Sequence, residues 1–454
     1  MIQSISRYRK QHPEVRQVTF NPQGPGVVRI HLIPPRNTKN GKVASVVILN
    51  GQYVIPLGHS WSILLECFMD QLENHSGHTI TIEELATIHS SALNDAKKVF
   101  PLIPTKKLRN DLHLIINTLC DIAYGHVPSV KIGGMSIREY SKYMSAPHRI
   151  DLLVSPMTVN GCWHCNQKCL HCYAANQEYA NHESLSTEEW KEIIDMCKEI
   201  GTPQLTFTGG EPTLRKDLPE LIKYSKWFVS RLNTNGLKLT KDYCQKLFDA
   251  ELDSVQITLY SHDSEVHDEL VGLNGGFEKT TNGIKNAIEA GLDVSVNTPL
   301  CSINKDYTKL LEYLHKLGVH YVSCSGLILT GNATTDKSKK TQLSSEELEK
   351  IISDATFFCA RNDMEISFTS PGWLDPNVFK KYNLSIPSCG ACLSNMAIAP
   401  DGEVIPCQSW LSEGLGNILF KDWDEIWNHP LSKKLQMMSD DEATNCPFRN
   451  MNKG

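Results

Sequence analysis

The chain has 454 residues, 41% of them hydrophobic and 21% charged, an ordinary globular composition with enough length for two or three domains. Its net charge of −6 argues against a nucleic-acid binder held by bulk electrostatics. The polar, basic start Met1–Lys10 is no secretory leader, and no 18-residue apolar run exists, so a cytoplasmic protein with no membrane partner is expected.

The charge is unevenly placed. Residues 1–150 hold 17 Lys/Arg against 10 Asp/Glu, a net +7, which leaves −13 on the remainder. A basic front module on an acidic body would suit an acidic partner; a chance spread of solvated charges explains the count as well.

Residues 1–150 read as a separate α+β or winged-helix-like module. Val27–Ile33 and Ala44–Ile55 are β-rich, with a hairpin-like loop at 34–41 between them. Ser60–Leu72 has helical apolar spacing, Thr81–Phe100 opens on a Thr81/Glu84 capping box, and Lys106–Tyr124 makes a third helix. A module of this kind commonly offers a strand edge to an extended peptide; a stabilising extension with no binding role is the alternative.

From Ile150 strands and helices alternate. Strands are expected at Leu152–Val159, Gln204–Thr208, Val229–Asn233, Ser254–Tyr260, Asp293–Thr298 and Tyr321–Leu327. Helices are expected at Thr187–Ile200 (capping box Ser186/Glu189), Lys216–Phe228, Lys241–Ala250, Thr280–Ala290 and Asp306–Leu317. Six strands in this rhythm predict a parallel sheet curled into a partial or full (β/α) barrel, with chemistry at the C-terminal strand ends. Asn332–Thr341 reads as a polar linker and Ser344–Asn362 as a helix. Met396–Ile398 and Val404–Pro406 flank a tight turn at Pro400–Glu403, which would aim Cys407 back toward Cys392.

Two cysteine groups carry the chemistry. Fifteen cysteines without a leader argue for reduced thiolates that bind metal. After the first barrel strand comes GCWHCNQKCLHCY, in which Cys165, Cys169 and Cys172 are spaced C-x3-C-x2-C. Three thiolates from one loop can hold one face of an iron–sulfur cube and leave one iron open to a ligand. With Cys162 the run imitates a four-cysteine zinc site, but its two C-x2-C knuckles are too close to converge, so Cys162 is spare. The second group is Cys389, Cys392 and Cys407, C-x2-C-x14-C, with Cys446 beyond it in Asn445–Phe448. About forty residues beyond Cys165 comes TFTGGEPTL, where Gly209 and Gly210 permit close backbone approach and Glu211 can accept from a ligand ammonium.

Cys165, Cys169 and Cys172 with Tyr173, followed by Gly209-Gly210-Glu211-Pro212, resemble the radical S-adenosylmethionine (SAM) enzymes. Leu232–Gly236, which contains Asn235, looks like that family's third-strand motif. Gln256–Ser261 with His267-Asp268 and Gly276-Phe277 looks like the fourth, and Gly326-Leu327-Ile328 like the sixth-strand segment beside adenine. The resemblance covers roughly residues 150–450. It implies an α/β fold: a partial (β/α)6 radical SAM barrel at 151–335, an N-terminal α+β module at 1–150, and a small cysteine-rich SPASM/twitch domain at 336–454. It further implies a 4Fe-4S cluster on the first three cysteines, SAM chelating the open iron, and reductive cleavage to a 5′-deoxyadenosyl radical that abstracts hydrogen. Glu211 and nearby backbone would hold the methionyl ammonium, and Tyr173 would pack beside adenine. Thr258, Ser261 and Asn297 would bond ribose or carboxylate, unless they are ordinary strand polar residues.

Cys392-x9-Gly402-x4-Cys407 matches the opening of the SPASM pattern, but the later run of paired cysteines is missing and Cys446 stands alone. One auxiliary iron–sulfur cluster is therefore expected, with Cys446 as fourth ligand; without that ligand its iron stays open, and structural zinc is the other option. The combination suggests an oxidoreductase that modifies a ribosomally made peptide whose leader the front module holds, supplied by a low-potential donor such as ferredoxin or flavodoxin. The same chemistry on a tetrapyrrole or cofactor precursor, or a non-enzymatic metal-binding partner protein, are the alternatives.

Overall fold

The computed structural model describes residues 2–11, 16–20, 28–38, 41–50, 53–73, 80–124, 126–130, 134, 136–141, 145–440 and 446–447. Parts of several expected segments, among them Val27, residues 39–40, Asn445 and Phe448, lie outside these. The chain divides into two compact units, Met1–Ser145 with Trp227–Val229, and Ala146–Lys226 with Ser230–Gly454.

The first unit contains α1 (Ile2–Gln11), β1 (Arg16–Phe20), β2 (Val28–Ile33), β3 (Arg36–Thr38), β4 (Gly41–Val43), β5 (Ser45–Leu49), β6 (Tyr53–Leu57), α2 (His59–Glu73), α3 (Ile82–Val99), α4 (Thr105–Ala123) and α5 (Ile137–Ser141). It is α+β. Four antiparallel strands, in the order β1-β2-β5-β6, bury Val28, Leu32, Val47 and Leu49 with Leu64, Phe68, Leu93 and Leu112 of the helices. The β-rich run 44–55 forms two strands: β5 pairs antiparallel with β6 past Asn50, whose φ is +50°. The Thr81/Glu84 capping box forms as expected.

The second unit is built on one sheet. Its elements are β7 (Arg149–Ser155), β8 (Thr158–Val159), β9 (Cys162–Trp163), α6 (Thr187–Glu199), β10 (Gln204–Gly209), α7 (Leu218–Tyr224), β11 (Val229–Thr234), α8 (Lys241–Asp249), β12 (Ser254–Thr258), α9 (Ser264–Val271), α10 (Gly276–Glu289), β13 (Asp293–Pro299), α11 (Tyr307–Lys316), β14 (Tyr321–Ser325), α12 (Asp336–Lys339), α13 (Ser345–Arg361), β15 (Glu365–Phe368), α14 (Pro376–Lys381), β16 (Asn395–Ile398), β17 (Glu403–Ile405), β18 (Gly416–Asn417), α15 (Trp423–Trp427) and α16 (Pro430–Asp440). Strands β7 and β10 to β14 lie side by side in chain order, as βαβ succession requires, and give the partial six-stranded barrel. β15 extends it parallel to β14, and β16 extends it parallel to β7.

Alternation along the strands sorts the two faces. One carries Leu205, Phe207, Val255, Ile257, Val294 and Val296, all buried under the helices. The other carries Asp151, Thr206, Asn233, Gln256, Ser295 and Asn297. Register partners such as Thr206↔Asp151 and Gln256↔Ser295 place these on one wall. Parallel strands covered on both faces read as continuous apolar runs. The alternation in DVSVNTP and SVQIT therefore marks a polar inner face, a signal present in the sequence.

Candidate active site

The β7 strand ends at Ser155, and the hairpin β8–β9 carries Cys162, which is exposed. The chain then turns in to Cys165, Cys169 and Cys172, all half-buried. The Cys165 thiol donates to the Gly210 carbonyl (3.3 Å), and the Cys172 N–H to the Cys169 carbonyl (3.3 Å). N–H groups of Lys168 and Leu170 donate to the Val271 and Leu270 carbonyls at the end of α9, both at 2.9 Å. Burial pushes the Cys165 thiol up to about 12, and the Glu211 carboxylate and Cys172 add to this. Cys169 is driven well up by burial and by Cys172 and Cys165, so the charges of this loop converge. Three thiols that resist ionisation together are a donor set suited to a cationic iron–sulfur core, which would neutralise what they cannot tolerate alone.

Gly209 and Gly210 reach the Cys loop from the end of β10. Gly209 has φ +132°, and a Cβ there would strike the Ser155 backbone; at Gly210 it would lie 2.6 Å from the Pro156 carbonyl. The glycines thus let β10 close against β7 and leave the Gly210 carbonyl facing Cys165. Glu211 is buried (1% exposed). Its Oε1 accepts from the Thr213 N–H (3.1 Å) and from the Thr213 and Thr234 hydroxyls (both 2.6 Å), and its Oε2 from the Asn235 N–H (2.8 Å). Burial raises its pKa, and these donors oppose that. Four donors match the acceptor capacity of a carboxylate. Two of them are hydroxyls that can rotate, so an ammonium could replace them, whereas the two backbone donors are permanent. Pro212 opens the short 3-10 turn that holds Thr213. Asn235 also donates from Nδ2 to Asn166 Oδ1 (2.7 Å).

The segment expected to be a polar linker is instead the buttress of the cysteine loop. The Asn332 N–H donates to the Cys172 carbonyl (2.9 Å) and its Nδ2 to the Cys169 carbonyl (3.2 Å). The Thr330 hydroxyl reaches the Tyr173 carbonyl and the Ser338 hydroxyl the Leu170 carbonyl, at 3.3 and 3.0 Å. His171 Nε2 pairs with the Thr341 hydroxyl (2.8 Å), and burial lowers that imidazole to about 4. Ala333 and Ser338 are fully buried. Polar side chains here satisfy the loop's carbonyls rather than solvent, which composition alone does not distinguish.

Tyr173 enters the polar inner face. Burial drives its phenol up, the charges of Cys172, Asp151 and Cys407 add to this, and a hydrogen bond with Thr208 opposes it. Thr258 and Asn297 are register partners at adjacent strand ends, and Asn297 Oδ1 accepts from the Ser323 hydroxyl (2.9 Å). Among the described residues none takes the Thr258 hydroxyl or the Asn297 amide nitrogen. Ser261, by contrast, accepts from the Asp263 N–H (3.0 Å) at the lead-in to α9. Ile328 follows β14, half-buried, and its carbonyl accepts from Thr330 N–H (2.9 Å). Asp151, Thr208, Thr213, Thr234 and Asn332 were not singled out from sequence. The first two were legible as polar positions in an alternating strand, Thr213 contacts Glu211 two residues before it, and Thr234 and Asn332 act through contacts no spacing encodes.

The C-terminal cysteines lie at the other end of β7. β16 runs parallel to β7 with Asn395 opposite Arg149, and Cys389 and Cys392 precede it. β17 returns antiparallel, so Cys407 follows it to that same N-terminal end. The Cys392 N–H donates to the carbonyls of Asn395 (2.9 Å) and Pro406 (3.2 Å), and Cys392 holds a left-handed φ of +59°. A hydrogen bond with Cys446 and burial drive the Cys389 thiol far up. Burial pushes Cys407 to about 12, with Cys446 and Asp151 adding to it, and pushes Cys392 to about 12, with Cys407 adding to it. All four side chains therefore sense at least one other.

A barrel with a three-thiol loop at one end and further thiols at the other defines an iron–sulfur enzyme class. The model of the radical SAM superfamily matches residues 163–314, and that of the SPASM iron–sulfur cluster-binding domain matches 389–447. The chain thus carries a radical SAM domain and, C-terminal to it, a SPASM domain; the first implies a 4Fe-4S cluster and SAM, and the second implies auxiliary iron–sulfur rather than zinc. It is 28% identical over 286 residues to the Fe-coproporphyrin III synthase of Methanosarcina barkeri, covering 58% of this chain and 71% of that one. It is 29% identical over 284 residues to the AdoMet-dependent heme synthase of Oleidesulfovibrio alaskensis, with the same coverage. A probable GTP 3′,8-cyclase of Methanococcus maripaludis is 35% identical over 165 residues, 34% of this chain and 53% of that one. Among solved structures, Streptococcus suis SuiB bound to precursor peptide SuiA shares the fold (TM-score 0.59, 15% identity, 92% and 95% coverage). So does anSMEcpe with AdoMet and the Cp18Cys peptide (TM-score 0.50, 18% identity, 68% and 88% coverage). No described helix is long and apolar enough to cross a membrane.

Proposed function

We propose that this radical SAM enzyme modifies a ribosomally made peptide, whose leader the N-terminal unit holds along a sheet edge. The observation that carries this is that unit's four-stranded antiparallel sheet, where β1 and β6 are the edge strands. The fold likeness to SuiB, a protein solved with its precursor peptide, extends over nearly the whole chain and supports the reading. The similarity to heme synthases favours a tetrapyrrole substrate as the second reading.

In this reading Cys165, Cys169 and Cys172 hold the cluster, and Cys389, Cys392, Cys407 and Cys446 hold one auxiliary cluster. Bound SAM supplies the hydrogen-abstracting radical. Gly209–Pro212 with Glu211 and Asn235 receive the methionyl ammonium, Tyr173 and Ile328 flank adenine, and Thr258, Asn297 and Ser261 hold ribose or carboxylate. The polar inner face receives the substrate, and a ferredoxin or flavodoxin supplies electrons.

The test uses anaerobically reconstituted full-length protein with SAM and dithionite, and a leader-bearing peptide encoded beside the gene. A peptide mass change that is lost when the leader is trimmed supports the reading. Turnover indifferent to the leader would sink the peptide assignment. Absence of 5′-deoxyadenosine from iron-loaded protein would sink the chemistry. Cys169→Ala and Cys407→Ala should each lower bound iron by about four per chain; equal loss of all iron in both would mean that the second site acts through folding.

A further inference from the structure

Arg231 is a cation on the polar inner face with no ion-pair partner among the described residues. It lies on the inner face of β11, three residues before Thr234, so about 10 Å below the strand's C-terminal end at ~3.3 Å per residue. Its Nε donates to the hydroxyl of Ser254 (3.3 Å), its register partner. Among the described residues no carboxylate forms an ion pair with it. Arg149, on the same wall, is paired with Asp151 at 2.9 Å. Burial lowers the Arg231 pKa, the Arg149 guanidinium lowers it further, and Asp293 and Asp151 offset part of this. Arginine keeps its proton in proteins, so the shift reports a charge held out of water rather than a neutral side chain. Such a charge is costly unless something compensates it. The terminal nitrogens that Ser254 leaves open form the fork that matches a carboxylate or phosphate in a bidentate pair.

We propose that Arg231 anchors an anionic group of the substrate, a carboxylate or a phosphate, at the deep end of the barrel's inner face. The depth separates this anchor from the methionine carboxylate of SAM, which belongs at the strand ends with the cysteine loop. The inference rests on the reading that the inner face receives the substrate, and it deepens that reading by naming the chemistry recognised there.

The experiment is arginine labelling of the full-length protein with phenylglyoxal, read by peptide mass spectrometry. The probes are inorganic phosphate, glutarate, acetyl-Gly-Asp-Gly-amide and, as neutral control, acetyl-Gly-Asn-Gly-amide. Arg231 should label, and an anion at ten times its half-saturating concentration should slow that labelling about tenfold by mass action. Protection by the Asp tripeptide and not its Asn counterpart supports the anchor and places the anion on a peptide. Protection by phosphate or glutarate alone supports it and places the anion on a small molecule. No protection by any anion, or equal protection by the Asn tripeptide, overturns it. Formation of 5′-deoxyadenosine by the same preparation is scored separately. Nucleoside without protection removes the anchor and leaves the enzyme reading, whereas protection without nucleoside keeps the anchor and removes that reading.

Discussion

The N–H of Asn332 donates to the carbonyl of Cys172 at 2.9 Å, tying the segment after β14 to the loop that presents three thiols. Gly331, one residue earlier, has φ +56°, and a Cβ there would run into the carbonyls of both Cys172 and Tyr173.

Gly331→Ala should therefore displace the cysteine loop. The left-handed φ costs about 1 kcal/mol for a non-glycine residue and the backbone clash adds to it. The expected outcome is a lower unfolding midpoint in urea together with a lower iron-to-protein ratio after reconstitution. Full iron loading at unchanged stability would show that the buttress is dispensable.

Asn332→Ala should act more mildly on the same contact. It removes the 3.2 Å bond to the Cys169 carbonyl, worth about 1 kcal/mol, and the 3.1 Å bond that Asn176 donates to its Oδ1, and keeps the backbone bond to Cys172. Cluster absorbance should decay faster in air than in the parent, a time course that visible spectroscopy reads directly.

Glu211→Gln should lose stability despite near-identical shape. All four contacts to the carboxylate come from donors, and a glutamine amide would turn two N–H bonds toward some of them. Burying that mismatch costs about 1–3 kcal/mol. Denaturant unfolding of the iron-free protein measures this without SAM, so an effect confined to SAM binding would argue against a structural role.

His267 predicts acid sensitivity. Its ring is fully buried, Nδ1 accepts from the Tyr260 N–H (3.2 Å), and burial lowers its pKa from 6.5 to about 4. Above pH 6.5 the ring is neutral folded or unfolded and contributes no pH dependence. Between pH 6.5 and 4 the unfolded chain binds the proton first, so stability falls as pH falls, by up to about 3 kcal/mol at ~1.4 kcal/mol per pH unit. His267→Asn keeps an acceptor for Tyr260 and should flatten the slope of unfolding free energy over that window. A slope identical to the parent's would assign the acid loss to other groups.

Much of the site was legible because its parts are local. A C-x3-C-x2-C spacing puts three thiols in one loop wherever that loop sits, and TFTGGEPTL carries its own turn at the end of a strand. The helices α3, α6 and α13 begin where Thr81, Ser186 and Ser344 form capping boxes, each closed within four residues. Residues 332–341 misled because a string of Lys, Thr and Ser looks alike in water and against buried carbonyls. The 44–55 run is β as its composition indicates, but β propensity says nothing of the reversal past Asn50.

From the amino-acid order alone follow the two thiol groups, the strand–helix rhythm and the barrel, since each rests on spacing or periodicity within one segment. The rest came from contacts between residues far apart in the chain. Parallel pairing of β16 with β7 sends the second thiol group to the end of the barrel opposite the first. The arrival of Thr234 and Asn235 from the next strand completes the shell that nearby Thr213 begins around the buried Glu211 carboxylate, and the packing of Asn332 on the cysteine loop satisfies its carbonyls. Such partners are chosen by which polar groups are left unsatisfied when the sheet closes, and that is known only once the chain has folded.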